Sequence, residues 1–254
     1  MPAPLACHHR GPPGPLAQWT CIWDEKDLGV ERDFQLMGME RLRLLRLRPD
    51  YCDVEGWKPK TRAEFMTVTA REALALGQCE VIGGFVRDWI IRGDDYGDDS
   101  EDDKETPRDI NLRLWPGFDL EAFVGNCKKW GLHRDDRTAK IGFVTPSKEW
   151  FFVDYVFDES FEQGEMDLLS IDMDVNSFAV SADKGLHKFA CFNRPISKTY
   201  GNMKRKVAYL VECDSKDGRK ERVKEMQRRG WKVIAAKSGT SSSAKKSSSS
   251  KEKM

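Results

Sequence analysis

Residues 79–91 constrain this chain most. Cys79-Glu80-Val81-Ile82 reads as a short buried strand, Gly83-Gly84 interrupt it, and the run from Phe85 begins a helix. A paired glycine between a strand and a helix lets backbone approach a ligand closely. The helix that follows offers unpaired N–H groups and the positive end of its dipole, a setting that suits a triphosphate. Taken alone, the dipeptide is better explained by a tight turn with no ligand.

The flanking pattern supplies the rest of a domain. Residues 63–76 read as a helix closed by Gly77, 108–114 as a strand, and 120–130 as a second helix ended by Gly131. Residues 139–145 and 149–157 pair as a hairpin around Pro146-Ser147-Lys148. A second hairpin joins 174–181 to 187–192 through Asp183-Lys184-Gly185. Residues 36–47 fit either a strand or a short amphipathic helix. Residues 215–229 form a strongly charged helix, followed at 230–234 by a strand or turn. This order predicts an α+β fold with a small mixed sheet flanked by helices. It divides the chain into a disordered arm (1–16), an extension of uncertain structure (17–62), a head (63–195), a basic helical segment (196–236) and a disordered Ser/Lys tail (237–254).

Charge and cysteine usage narrow the setting. Of 254 residues, 39% are hydrophobic and 33% charged, which predicts a soluble protein with a packed core. No run approaches the roughly 20 apolar residues of a membrane span, and the N-terminus lacks the apolar core of a secretory signal. The seven cysteines are scattered and none forms a Cys-x-x-Cys pair, as expected of reduced thiols in a cytosolic or nuclear compartment. Cys7-His8-His9 with Cys21 lacks the spacing of a common zinc module. The net charge of +0 hides an asymmetry. An acidic cluster covers 94–105, while the C-terminal part is basic from Lys204 to Lys232, which suggests an end that faces a polyanion such as RNA.

The residues able to carry chemistry recur in a definite order. Asp109 and Asn111 stand at i and i+2 of a strand, so they share one face. Asp154 lies within the apolar run 151–157, where a carboxylate is costly to bury without a metal or hydrogen-bond partner; an edge strand facing water is the alternative. Three such oxygen ligands could hold Mg²⁺ or Mn²⁺ against a phosphate chain. Arg87 and Asp88, one turn into the helix, could reach a phosphate or simply anchor the helix. Asp172 and Asn176 could line the same cleft or pass for a loop Asp and a turn Asn.

Gly83-Gly84-Phe85-Val86-Arg87-Asp88, then Asp109-Ile110-Asn111, then Val153-Asp154, then Asp172-Met173-Asp174-Val175-Asn176-Ser177 resembles the motif series of the poly(A) polymerase and tRNA CCA-adding family. Members of that family carry a polymerase-beta-like nucleotidyltransferase head. The resemblance covers about residues 63–195. It implies transfer of a nucleoside monophosphate from an NTP, ATP first, to a hydroxyl acceptor such as RNA, with release of pyrophosphate and dependence on Mg²⁺ or Mn²⁺. Gly83 and Gly84 would cradle the triphosphate, with Arg87 and Asp88 supporting that pocket. Asp109, Asn111 and Asp154 would hold metal, with Asp109 and Asp154 catalytic. Asp172 and Asn176 would lie beside the ribose and base.

Two departures bear on activity. The second metal carboxylate is Asn111, which brings no negative charge, and an electrostatic loss of that kind costs on the order of 10²–10³ in rate. The family's arginine pair before Asp172 is replaced by Ser170-Ile171. The family's tRNA-holding neck, body and tail domains are not recognisable. A degenerate head that binds nucleotide or nucleic acid without chemistry is the competing reading.

Overall fold

Thr61 starts the longest helix through a reciprocal cap. Its hydroxyl accepts from the Glu64 N–H, and the Glu64 carboxylate accepts from the Thr61 N–H. The resulting helix α2 (Arg62–Leu76) ends at Gly77, whose φ of 72° with an extended ψ is a backbone conformation that glycine tolerates. The computed structural model describes residues 38–51, 57–93, 109–135, 140–157, 172–188, 196–211 and 219–235. The acidic run 94–105, the two tails, the cysteine–histidine arm and Ser170-Ile171 lie outside the described residues.

Residues 38–47 form helix α1 (Gly38–Leu47), which buries Leu44 and Leu47 and exposes Leu42. After α2 come strand β1 (Cys79–Ile82), a wide helix (Phe85–Arg92), β2 (Asp109–Leu114), helix α3 (Leu120–Lys129), β3 (His133–Asp135), β4 (Ile141–Val144) and β5 (Trp150–Phe157). β6 (Phe178–Ser181) and β7 (Gly185–Lys188) follow a short helical turn at Asp174–Asn176. That turn corrects the expectation of a strand from 174. The Ser177 N–H and hydroxyl both bond the Asp174 carbonyl, so the backbone closes on itself before β6 begins.

These seven strands make one sheet in the order β3-β4-β5-β2-β1-β6-β7. β2 and β5 run parallel, and their neighbours pair antiparallel. The fold is therefore α+β with a mixed sheet flanked by helices, as expected. One sheet face is apolar, with Val81, Ile110, Leu112, Phe143, Phe151, Val153 and Val180 buried. α2 and α3 cover it, and Phe123 of α3 meets Phe143 edge-on at 6.2 Å.

The opposite face carries charge. Glu80 pairs with its cross-strand partner Arg113, and its other oxygen lies 3.0 Å from His187 Nε2. Burial alone would push the Glu80 carboxyl up, but His187 and Arg113 hold it below its ordinary value of 4.5. Cys79 and Cys127 are buried free thiols, which burial pushes up to about 12.

The C-terminal segment contains strands as well as the expected helix. Helix α4 (Ile196–Lys204), β8 (Val207–Tyr209), helix α5 (Arg219–Arg228) and β9 (Lys232–Ile234) build a small parallel β8–β9 pair. The segment is latched onto the head. Lys204 Nζ donates to the Ile91 carbonyl at 2.9 Å, Arg92 to the Met203 carbonyl at 2.9 Å, and the Tyr209 N–H to Asp174 at 2.8 Å. No described helix is long and apolar enough to cross a membrane.

Replacing Glu80 by Ala is expected to strand Arg113 in the interior and cost on the order of 3–5 kcal/mol in urea unfolding. A carboxyl held below its ordinary value contributes stability above that value. The difference between wild type and Glu80→Ala should therefore shrink as pH falls through the lowered value.

Candidate functional site

The glycine turn opens onto a cavity of about 360 Å³. Gly83, Gly84, Arg87, Asn111, Asp154, Asp172 and Asn176 all line it, although they come from four separate stretches of sequence. Sheet register explains the meeting. Ile82, the last residue of β1, pairs with Asn111, and Asn111 pairs with Asp154 across the parallel β2–β5 junction. β6 returns along the other side of β1, with Ile82 opposite Ala179, which brings Asn176 to the mouth of the turn.

The two glycines serve different needs. Gly83 has φ +80°, and a Cβ there would sit 3.0 Å from Asn111 Nδ2, so the fold itself requires glycine. Gly84 is right-handed, and a Cβ would meet nothing closer than the Arg87 guanidinium at 3.6 Å, an ordinary contact. Gly84 lines the cavity, and the fold there would accept a side chain. The helix that follows is wound wider than an α-helix, and the Gly93 N–H closes it on the Asp88 carbonyl five residues back.

Arg87 and Asp88 are tied to each other and to the C-terminal segment, and Arg87 also lines the cavity. Asp88 is fully buried and accepts twice from Arg87 at 2.6 Å and once from Arg229 at 2.9 Å. Burial would raise its carboxyl, but the two guanidiniums hold it below the ordinary carboxylate range. Arg87 also donates to Asn176 Oδ1 at 2.6 Å and lies over the Trp231 ring at 5.1 Å. Asn176 donates to Asp172 at 3.4 Å, and the far oxygen of Asp172 accepts from Arg222 Nε at 2.5 Å. The chain of contacts thus runs from Arg229 through Asp88, Arg87, Asn176 and Asp172 to Arg222. Both of its ends lie in the C-terminal segment, and Arg222 itself lines the cavity.

Asp109 is absent from the cavity walls but faces Asp154. Burial, then the charge of Asp154, raises the Asp109 carboxyl above its ordinary 3.8, partly offset by Lys140 and a hydrogen bond from Asn111. Lys140 Nζ sits 2.7 Å from Asp154 Oδ1 and 2.8 Å from Oδ2. Asp154 stands on β5, which is paired on both sides, so the edge-strand alternative does not hold. Its side chain is 28% exposed. Among the described residues no group of three His, Cys, Asp or Glu side chains is placed to hold a metal ion. Asp109, Asp154 and the Asn111 amide are hard-oxygen donors on one sheet face that could serve a divalent cation if Lys140 gave up the two Asp154 oxygens.

Lys140, Arg222, Arg229 and Trp231 were not singled out from sequence. Arg222 and Arg229 were visible only as part of a charged helix. Seven residues apart, they lie on one side of it, yet nothing local says that this side turns inward.

No family model matches the sequence, and no curated protein matches it. Solved structures to which the chain is similar include CCA-adding enzymes. A complex of such an enzyme with CTP has 20% identity and a TM-score of 0.39, covering 61% of this chain and 35% of the other. Apo form I of a CCA-adding enzyme has 16% identity and a TM-score of 0.41, covering 84% and 43%. The Thermotoga maritima CCA-adding enzyme complexed with tRNA has 18% identity and a TM-score of 0.37, covering 63% and 37%. The chain therefore spans less than half the length of these proteins, and likeness at this level assigns no activity.

Gly83→Ala is expected to cost about 1–2 kcal/mol for the left-handed backbone alone, read by thermal or urea unfolding. Asp109→Asn removes a repelled, half-buried charge and should raise the thermal midpoint at neutral pH. Added Mg²⁺ should stabilise wild type more than that variant.

Proposed function

We propose that this chain is a metal-dependent nucleotidyltransferase that moves a nucleoside monophosphate from an NTP, ATP first, to a hydroxyl acceptor such as RNA. The observation that carries the reading is the convergence of Gly83-Gly84, Asn111, Asp154, Asp172 and Asn176 on one cavity. Gly84 strengthens it, because the fold does not need a glycine there and a close-lying phosphate would.

The triphosphate lies along the glycine turn, where the first N–H groups of the wide helix point at it. Arg87 and Asn176 shape that pocket from the side, held in place by Asp88 and Asp172. Arg222, bonded to Asp172, adds a guanidinium to the cavity wall. A Mg²⁺ or Mn²⁺ ion held by Asp109, Asp154 and the Asn111 amide oxygen would neutralise charge on the transferring phosphoryl group. The acceptor oxygen bonds to the α-phosphorus, the bond from that phosphorus to the bridging oxygen of the β-phosphate breaks, and pyrophosphate leaves. Asp154 takes the hydroxyl proton.

One observation favours a second reading, a head that binds nucleotide without turning it over. Lys140 already neutralises Asp154 and partly offsets Asp109, and Asn111 has no charge, so little negative charge remains in the set to attract a cation.

Incubation of the full chain with labelled NTPs, Mg²⁺ or Mn²⁺ and an RNA oligonucleotide separates the two. Transfer that falls by on the order of 10²–10³ in Asp109→Ala supports the first reading. Tight NTP binding with no transfer, and transfer gained by Asn111→Asp, supports the second. In either case Gly84→Ala should leave the unfolding midpoint near that of wild type while weakening NTP binding.

A further inference from the structure

Lys140 stands where a divalent ion on Asp154 would have to sit, and sheet register puts it there. Ile141 of β4 pairs with Val153 of β5, so the residue before Ile141 comes opposite Asp154 on the antiparallel side. On the parallel side Asp154 pairs with Asn111, and Asn111 pairs with Ile82 at the mouth of the glycine turn. Lys140, Asp154 and Asn111 therefore follow one another in a single row across the sheet. Asp109, two residues before Asn111, shares the same face.

The contact itself is a cap. Lys140 Nζ lies 2.7 Å from one Asp154 oxygen and 2.8 Å from the other, so one ammonium engages both. A divalent ion held by Asp154 needs an oxygen at closer range than that, with Asp109 and the Asn111 amide as further donors. Ammonium and metal ion cannot share the carboxylate, because they claim the same space and repel each other.

The cap is also weak enough to open. The Lys140 side chain is 60% exposed and that of Asp154 28% exposed. An ion pair that wet contributes little, because water solvates the released ammonium. Lysine at this position therefore does two things. It supplies a counter-charge to the facing carboxylates, and it gives that place up to a cation of higher charge.

We propose that Lys140 is a displaceable internal cation, which closes the metal site until a divalent ion takes Asp154 from it. The proposal rests on the metal-dependent nucleotidyltransferase reading of the same cleft and adds a control on when that cleft is loaded. Each ion that binds releases one ammonium into water, so whatever neutralises Lys140 loads the site at lower ion concentration.

Two measurements on the full chain test this. The first is Mn²⁺ affinity, read from the electron paramagnetic resonance signal of the free ion. Lys140→Met keeps an unbranched stem and removes the charge. It is expected to tighten Mn²⁺ binding on the order of fivefold, whereas Lys140→Arg should bind no more tightly than wild type. Asp109→Ala should weaken binding with either residue at position 140. The second is the side-chain ammonium NMR signal of Lys140, assigned by its absence from Lys140→Met. Added Mg²⁺ is expected to move it toward the signals of exposed lysines such as Lys148. A Lys140 signal that stays in place while the ion binds overturns the proposal, because charge alone, without displacement, would leave the cap intact. Unchanged Mn²⁺ affinity in Lys140→Met overturns it as well. Both results leave the metal-dependent reading standing, provided that Asp109→Ala weakens Mn²⁺ binding. Mn²⁺ that binds no variant, or binds Asp109→Ala as tightly as wild type, overturns that reading and the proposal with it.

Discussion

The buried Asp88 carboxylate is the interaction on which the cleft depends. It is fully buried, and two guanidiniums bind it, one from its neighbour Arg87 and one from Arg229 in the C-terminal segment. Removing a carboxylate from water is expensive, so this site is stable only while both arginines stay in place. Arg87 then has one remaining arm, which it gives to Asn176. Asn176 in turn reaches Asp172, and Asp172 holds Arg222. One buried charge thus fixes the wide helix, the turn before β6 and the C-terminal helix relative to one another. Those three elements wall the cavity together with residues of β1, β2 and β5.

The carboxylate pair across β2 and β5 follows a different logic. Asp109 and Asp154 repel, and Asn111 and Lys140 relieve the repulsion, one by hydrogen bonding and the other by opposite charge. Aspartate at position 111 would have placed a third like charge in the same row with a single lysine against it. The site as it stands is stable without a cation, at the cost of weaker attraction for one.

Much of the architecture was legible in the sequence because local signals agreed with one another. Gly77, the apolar run 79–82 and the turn 146–148 each punctuate an element, and each element formed within a residue or two of its expected bounds. Asp109 and Asn111 followed from strand alternation. Asp154 stood out because a carboxylate in an apolar strand requires a partner. The partner itself, Lys140, could not be foreseen, since it precedes β4 and reaches Asp154 only through the β4–β5 hairpin register. The turn at 174–176 was missed because its hydrogen bonds close locally rather than across a sheet.

The sequence by itself determined which chemistry is available: a glycine turn, two carboxylates and an amide at strand spacing, and a late Asp–Asn pair. These are matters of residue type and of periods of two or 3.6, which short-range geometry dictates. Tertiary structure alone decided the orientation of the long charged side chains. The same basic helix could have faced solvent or the cleft, because an arginine's reach exceeds the spacing that any local pattern encodes. Burial of Asp88 and Asp172 drew Arg229 and Arg222 inward, since an unpaired buried carboxylate costs more than a solvated guanidinium gains.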